Sequence, residues 1–160
     1  NLNAKTIISN LPYNISIKLI IKWLKMKNHF AELILMIQKE VAKKMNYSNN
    51  LKKNRLNCLI ENTSNIFNIE FNVSKNVFYP KPNVNSSVIK FKPKKNIVID
   101  FEKLQKFTRD LFKNKRKKIK NILPYNNIKN IEKINKMNIL NMRAEDLSIK
   151  EIIQIFNEYQ

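Results

Sequence analysis

Thr6-Ile7-Ile8-Ser9-Asn10-Leu11-Pro12-Tyr13-Asn14-Ile15-Ser16 is the stretch on which the fold turns. Thr6 to Ser9 reads as a short buried strand. Asn10-Leu11-Pro12-Tyr13 ends it, because proline holds the residue before it extended and carries no N–H for a ladder. Ser16 then suits the cap of an apolar helix running to about Met26. Strand, turn and helix in that order form a unit of an open α/β sheet, which holds its ligands at the carboxyl edge of the strands.

Working outward, Leu33-Ile34-Leu35-Met36-Ile37 within Glu32 to Gln38 has the length and unbroken apolar character of a strand buried on both faces, as in a parallel sheet. A short helix follows, about Lys39 to Met45. The polar stretch Asn46 to Lys53 reads as a surface loop, and about Arg55 to Ser64 as another helix. Ile66, Ile69 and Phe71 suggest a strand with imperfect alternation, while Ser87-Val88-Ile89-Lys90-Phe91-Lys92 alternates more cleanly. Between them, Phe78-Tyr79-Pro80-Lys81-Pro82 is too proline-rich for a sheet interior. This order, closing on a pair of strands, fits the second half of an α/β sheet.

At Pro93-Lys94-Lys95-Asn96 the pattern turns helical, which divides the chain into a sheet domain, 1–93, and a small all-helical domain, 94–160. Asp100 suits the cap of a helix whose apolar residues Phe101, Leu104, Phe107 and Leu111 keep helical spacing, with Ile119 and Ile122 following beyond a bend. Pro124 stops it. Ile128, Ile131 and Ile134 mark a further helix, and Ser148 with Glu151 forms a capping box opening the last, about Ile149 to Tyr159.

The 160 residues, 43% of them apolar, suffice for a domain with a real core. No apolar run approaches the roughly 18 residues needed to span a bilayer, so the chain reads as soluble and intracellular. One cysteine, Cys58, and one histidine, His29, make a disulfide or metal site a poor fit, and no metal is expected. Cys58 sits in an apolar stretch and reads as packing, His29 as a solvated loop residue. Thirty-one basic against twelve acidic residues give a formal charge of +19, a field that favours polyanions such as nucleic acid, although heavy use of Asn, Ile and Lys also fits a codon bias. Glycine is absent, so the chain holds no phosphate-cradling turn of the usual kind.

The residues after the first strand suit one chemistry. An exocyclic adenine amine is a poor nucleophile because its lone pair is delocalised into the ring. Two acceptors, the Asn10 side-chain oxygen and the Leu11 backbone carbonyl, suit its two N–H groups and free that lone pair. Pro12 preorganises the carbonyl. Tyr13 offers a face on which a flipped-out base stacks, worth about 1–3 kcal/mol. The same four residues also suit an ordinary proline turn with Tyr13 as core filler. Lys113, Lys115, Arg116, Lys117, Lys118 and Lys120 form the densest positive cluster. Helical spacing there leaves Ile119, Ile122 and Leu123 for the core and spreads the cations for phosphate contacts with structured RNA. A merely solvated helix face is the alternative.

The segment Asn10 to Ser16, between an apolar strand and an apolar helix, resembles the target-amine loop of the rRNA adenine dimethyltransferase family. Four further blocks follow in that family's order. These are Leu35-Met36-Ile37-Gln38-Lys39-Glu40-Val41-Ala42, then Phe78-Tyr79-Pro80-Lys81-Pro82-Asn83-Val84-Asn85-Ser86, the basic block around 114–123, and Arg143-Ala144-Glu145-Asp146-Leu147-Ser148. The resemblance implies an α/β fold, the C-terminal half of a Rossmann-like methyltransferase sheet followed by a helical RNA-binding domain. It implies that Asn10 touches both the adenine amine and the S-adenosylmethionine edge, that Leu11 supplies its carbonyl, and that Tyr13 and Phe78 cover the two faces of the base. From the residues alone, Phe78 could equally pack under a proline loop. Gln38-Lys39-Glu40 reads as structural.

The family's glycine-rich loop and the acidic residues that hold the cofactor belong upstream of Asn1, and its Tyr-Gly-x-Leu-Ser segment stands here as Lys53-Asn54-Arg55-Leu56-Asn57. These residues alone are therefore expected to bind the cofactor poorly and to be inactive. The reaction implied is dimethylation of two adjacent adenines near the 3′ end of small-subunit rRNA during ribosome assembly. Its partner is that RNA or the pre-ribosomal subunit, and it runs in a monomer, in the cytoplasm or an organellar matrix, with no membrane. Rival readings are a large-subunit rRNA adenine methyltransferase, disfavoured by Leu11 in place of isoleucine and by the Arg143 to Ser148 block, and a non-catalytic RNA-binding assembly factor.

Overall fold

The computed structural model describes residues 5–26, 29–46, 52–94 and 99–159. Most of the polar loop expected over 46–53, and Lys95-Asn96 of the expected domain boundary, lie outside these residues. The chain divides into two compact units, Asn1–Asn46 with Ile60–Val98, and Tyr47–Leu59 with Ile99–Gln160. Residues 52–59, grouped with the sheet in the sequence reading, thus belong to the second unit. The division passes through helix α3, Arg55–Thr63.

The first unit carries strands β1 (Lys5–Asn10), β2 (Phe30–Gln38), β3 (Ser64–Val73) and β4 (Ser86–Pro93), with helices α1 (Ser16–Lys25) and α2 (Lys39–Met45). The sheet order is β1-β2-β4-β3. β1 runs parallel to β2, and β4 is antiparallel to both its neighbours. Alternate residues of the central strands, Leu33, Leu35 and Ile37 on β2 with Ile89 and Phe91 on β4, are fully buried, as are Ile20 and Leu24 of α1 and Ala42 and Met45 of α2. Each large apolar side chain so placed contributes roughly 1.5–3 kcal/mol.

Several local expectations change in the sheet. β2 is not buried on both faces, since Ile34 and Met36 are only half-buried. β1 is not a buried strand either: it has a single neighbour in this sheet, and Ile8 is 76% exposed. Ser16 is the first helical residue rather than the cap, and its buried hydroxyl donates to the Tyr13 carbonyl at 3.2 Å. The imperfect alternation of β3 has a physical cause, because the register slips between Ile69 and Phe71 and leaves Phe71 exposed.

The second unit is helical: α4 (Phe101–Lys113), α5 (Ile131–Lys136) and α6 (Ile149–Glu158), joined by short 3-10 turns. Asp100 caps α4 by accepting from the Glu102 and Lys103 amides at 3.0 and 3.1 Å. Both arms of the Ser148–Glu151 capping box are present at α6. Ile128 lies outside α5 and bridges Tyr159 instead. The core joins Leu111, Ile119, Ile134, Ile139, Ile152 and Ile155 to Phe107, whose ring packs on Phe156 and Tyr159 with centroids 5.5 and 5.4 Å away. Cys58 is fully buried in that core. Asn138 takes a left-handed φ of 52° at the end of α5, a conformation asparagine tolerates where glycine is the usual choice. Among the described residues, no helix is long and apolar enough to cross a membrane.

Candidate active site and nucleic-acid interface

Strand direction brings distant segments to one edge of the sheet. Asn10 at the end of β1 pairs with Met36, two residues before the end of β2. Gln38 at the end of β2 faces Ser86 at the start of β4, and Ser86 faces Val73 at the end of β3. The turn after β1 and the connection from β3 to β4 therefore share the carboxyl edge, where an open α/β sheet places its ligands.

At that edge lies an open hollow of about 320 Å³, lined by Asn10, Leu11, Pro12 and Tyr13 from the first turn and by Phe78, Tyr79, Pro80 and Pro82 from the second. Its volume lies at the small end of the roughly 300–1,000 Å³ typical of small-molecule sites. The five residues singled out in the sequence, Asn10, Leu11, Pro12, Tyr13 and Phe78, all line it.

The local backbone explains how the first turn is held. The Leu11 amide donates to the Met36 carbonyl at 3.1 Å, and its side chain is buried, so the chain is anchored where it leaves the sheet. The Pro12 carbonyl accepts from the Ile15 amide at 3.2 Å, and the Tyr13 carbonyl accepts from Ser16. Among the described residues, no donor reaches the Leu11 carbonyl or the Asn10 carboxamide, and Asn10 is exposed. Tyr13 is fixed at its far end, its hydroxyl 2.6 Å from Oγ of the buried Ser86.

The second turn is tied at both ends. Ser74 caps a short 3-10 turn, Lys75–Val77, by accepting from the Asn76 amide, and the Lys75 amide donates to Asn85 Oδ1 at 2.9 Å. The Asn85 carbonyl accepts from the Lys39 amide at the start of α2. Glu40 pairs with Lys43 at 3.2 Å on the exposed face of α2, a one-turn ion pair. Tyr79, Pro80, Pro82 and Ser86 were not selected from the sequence as site residues. Their signal was membership of the same proline-rich block as Phe78.

The cations lie in the second unit. Lys113, Lys115, Arg116, Lys117, Lys118 and Lys120 are all exposed, but they do not spread along a helix. α4 ends at Lys113, 114–116 form a turn, and Ile119–Asn121 is a 3-10 turn. Ile119 and Ile122, three residues apart, satisfy a 3-10 spacing as readily as an α-helical one, which is why the sequence misled. Lys118 forms an antiparallel bridge with Arg143, and the Ile119 amide donates to the Met142 carbonyl at 2.9 Å. That pairing adds the exposed Arg143 to the cluster, a residue whose place beside the cations no sequence pattern signals. Glu145 beside it hydrogen-bonds Lys52, which holds its carboxyl below the ordinary range, with the charges of Arg143 and Lys115 acting in the same direction. His29 is exposed, its ring edge-on to Phe30. Among the described residues, no cluster of His, Cys, Asp or Glu is placed to hold a metal ion.

The sheet unit thus carries an aromatic and amide-lined hollow at the carboxyl edge where open α/β sheets bind their ligands, and the helical unit, by itself, presents a turn of cations. A family profile described as "Ribosomal RNA adenine dimethylase" matches residues 3–160, and the chain belongs to that family. It is 37% identical over 161 residues to a ribosomal RNA small subunit methyltransferase A of Borrelia garinii subsp. bavariensis, covering 98% of this chain and 56% of that one. It is 46% identical over 126 residues to the protein of the same name in Malacoplasma penetrans, covering 78% of this chain and 44% of that one. The chain thus spans about half the length of the curated relatives it matches. In fold it is similar to a dimethyladenosine transferase from Plasmodium falciparum, with a TM-score of 0.77 at 24% identity over 94% of this chain and 65% of that one.

Proposed function

We propose that this protein transfers methyl groups from S-adenosylmethionine to N6 of two neighbouring adenines near the 3′ end of small-subunit rRNA during ribosome assembly. The observation that carries the reading is the hollow, where a partner-free carboxamide, a partner-free carbonyl and two aromatic side chains meet. The family and the small-subunit names of the two relatives support the choice of substrate.

In this reading the Asn10 side-chain oxygen and the Leu11 carbonyl accept the two N6 hydrogens of a flipped-out adenine, drawing the nitrogen toward tetrahedral shape and localising its lone pair. Tyr13 and Phe78 hold the ring faces, so attack is oriented before it occurs. The nitrogen is cationic once methylated and releases its proton to water without a dedicated base. A second round leaves one N–H for two acceptors, so stacking takes a larger share of the grip.

S-adenosylmethionine, the donor the family implies, supplies an electrophilic methyl group on a sulfonium. The chemistry of the residues here fits one edge of its site, since the Asn10 carboxamide has a donor and an acceptor at the carboxyl edge of the sheet. With no glycine in the sequence, the described residues form no backbone turn free of β-carbons to cradle it. The cations at Lys113, Lys115, Arg116, Lys117, Lys118 and Lys120, with Arg143, bind rRNA phosphates. The protein works as a monomer, in the cytoplasm or an organellar matrix where ribosomes are made.

The test is methylation of small-subunit and large-subunit RNA by the full-length protein, read as modified nucleosides by mass spectrometry. Dimethyladenosine at two adjacent sites of the small-subunit RNA is expected, with kcat lowered about 100- to 1,000-fold by Asn10→Ala. Full activity in the variant removes Asn10 from the mechanism. Product on large-subunit RNA alone replaces the substrate, and binding without product on either makes the protein a non-catalytic assembly factor.

A further inference from the structure

We infer that Tyr79 is a second base platform, its ring stacking on the nucleotide next to the adenine held in the hollow. The inference rests on the reading of the hollow as an adenine site.

Tyr79 lines the hollow and is fully exposed, so its ring adds nothing to the buried core. Its neighbour Phe78 is half-buried on extended backbone, φ −103° and ψ 146°. Successive side chains on extended backbone leave opposite sides of the chain. Phe78 and Tyr79 therefore present separate surfaces, one to the wall of the hollow and one to its rim.

The rim is stiff. The Val77 and Phe78 amides donate to the Ser74 and Lys75 carbonyls, Lys75 is held by Asn85, and Pro80 and Pro82 fix their own φ angles. A ring on such a loop loses little freedom when it stacks, which makes an exposed aromatic there an effective ligand contact.

Taking a base out of its stack uncovers one face of the adjoining base. That base remains one nucleotide link from the hollow, and every base has a π-face for a tyrosine ring. Lys81, exposed two residues on from Tyr79, sets a cation beside the path of the joining phosphate. For a substrate with two neighbouring adenines, the platform holds one while the other reacts, and a shift of one nucleotide exchanges them.

The experiment uses the full-length protein and an rRNA hairpin, with affinity read by fluorescence anisotropy. A second RNA carries an abasic site beside the target adenine, and a third carries 2-aminopurine at that position. Tyr79→Ala is expected to weaken binding of the intact hairpin about tenfold, the effect of losing one base–aromatic stack. Tyr79→Phe stays within about twofold of the unmodified protein, because the ring is what matters. On the abasic RNA the unmodified protein and Tyr79→Ala bind alike, and 2-aminopurine emission is quenched by the unmodified protein and by Tyr79→Phe but not by Tyr79→Ala. Unchanged affinity in Tyr79→Ala, or an equal loss on the abasic RNA, overturns the platform. If methylation of small-subunit RNA holds and Tyr79→Ala is silent, only the platform falls. If methylation fails while Tyr79 still reports the adjoining base, the assignment of the hollow falls and the stacking contact stands.

Discussion

The Tyr13 hydroxyl and Ser86 Oγ stand 2.6 Å apart, joining residues separated by 73 positions and tying the turn after β1 to the first residue of β4. Ser86 is fully buried and Tyr13 half-buried, so the two ends of the bond are not equivalent. Tyr13→Phe leaves a buried serine hydroxyl without its partner and is expected to cost about 1–3 kcal/mol of stability. Ser86→Ala leaves only a phenol that water reaches, and should cost about 0.5–1.5 kcal/mol. The double variant should be more stable than the sum of the single losses implies. Urea unfolding of the four proteins measures the coupling, and strict additivity would show that the contact carries none.

Glu32 on β2 lies 3.0 Å from Lys90 and 3.7 Å from Lys92 on β4. The ammonium of Lys90, close against it, and then that of Lys92 hold its carboxyl below the ordinary value of 4.5 against the opposing effect of burial. A depressed folded-state pKa means that the stabilisation is present above the unfolded value and is lost as the pH falls through the folded one. Melting temperature should therefore drop with acidification below about pH 4.5. In Glu32→Gln that part of the drop should be missing. Parallel melting curves for the two proteins across this range would remove the pair from the acid response.

Local signals were read correctly where one short segment decides the outcome. Asp100 and the Ser148–Glu151 box cap their helices because the capping groups and the amides they serve are two or three residues apart. α2, Lys39–Met45, has the bounds its pattern suggests. Pairing across the sheet was not legible, since the insertion of β4 between β2 and β3 depends on partners about fifty and about twenty residues away. Five residues that line the hollow, Asn10, Leu11, Pro12, Tyr13 and Phe78, were legible because the acceptors, prolines and rings that suit a base lie in two short segments. Ser86 could not, because its part comes only from the fold that sets it against Tyr13. Tyr79 was visible as an aromatic beside Phe78, but only its full exposure distinguishes a rim residue from core filler.

The turn carrying Lys115, Arg116 and Lys117 is exposed, so the RNA binding proposed for it is electrostatic and screened by salt. Replacing all three by alanine should flatten the slope of log affinity against log salt by about 2–3, with kcat at saturating RNA unchanged. Titrations at several salt concentrations give that slope directly. An unaltered slope would mean that these cations meet no phosphate.

Ile119 is fully buried between two exposed lysines, and its amide donates to the Met142 carbonyl at 2.9 Å. It thereby sets the backbone from which Lys118 and Lys120 project. Ile119→Ala should destabilise the protein by about 2–5 kcal/mol through the cavity it leaves. Ile152→Ala, at an equally buried position in α6, should cost a similar amount while leaving the basic turn's own anchor intact. If the turn must be held to bind phosphates, only Ile119→Ala weakens RNA affinity when both variants are measured well below their melting temperatures. Equal loss in both would trace the effect to stability alone, and no loss in either would show that the cations work without a fixed backbone.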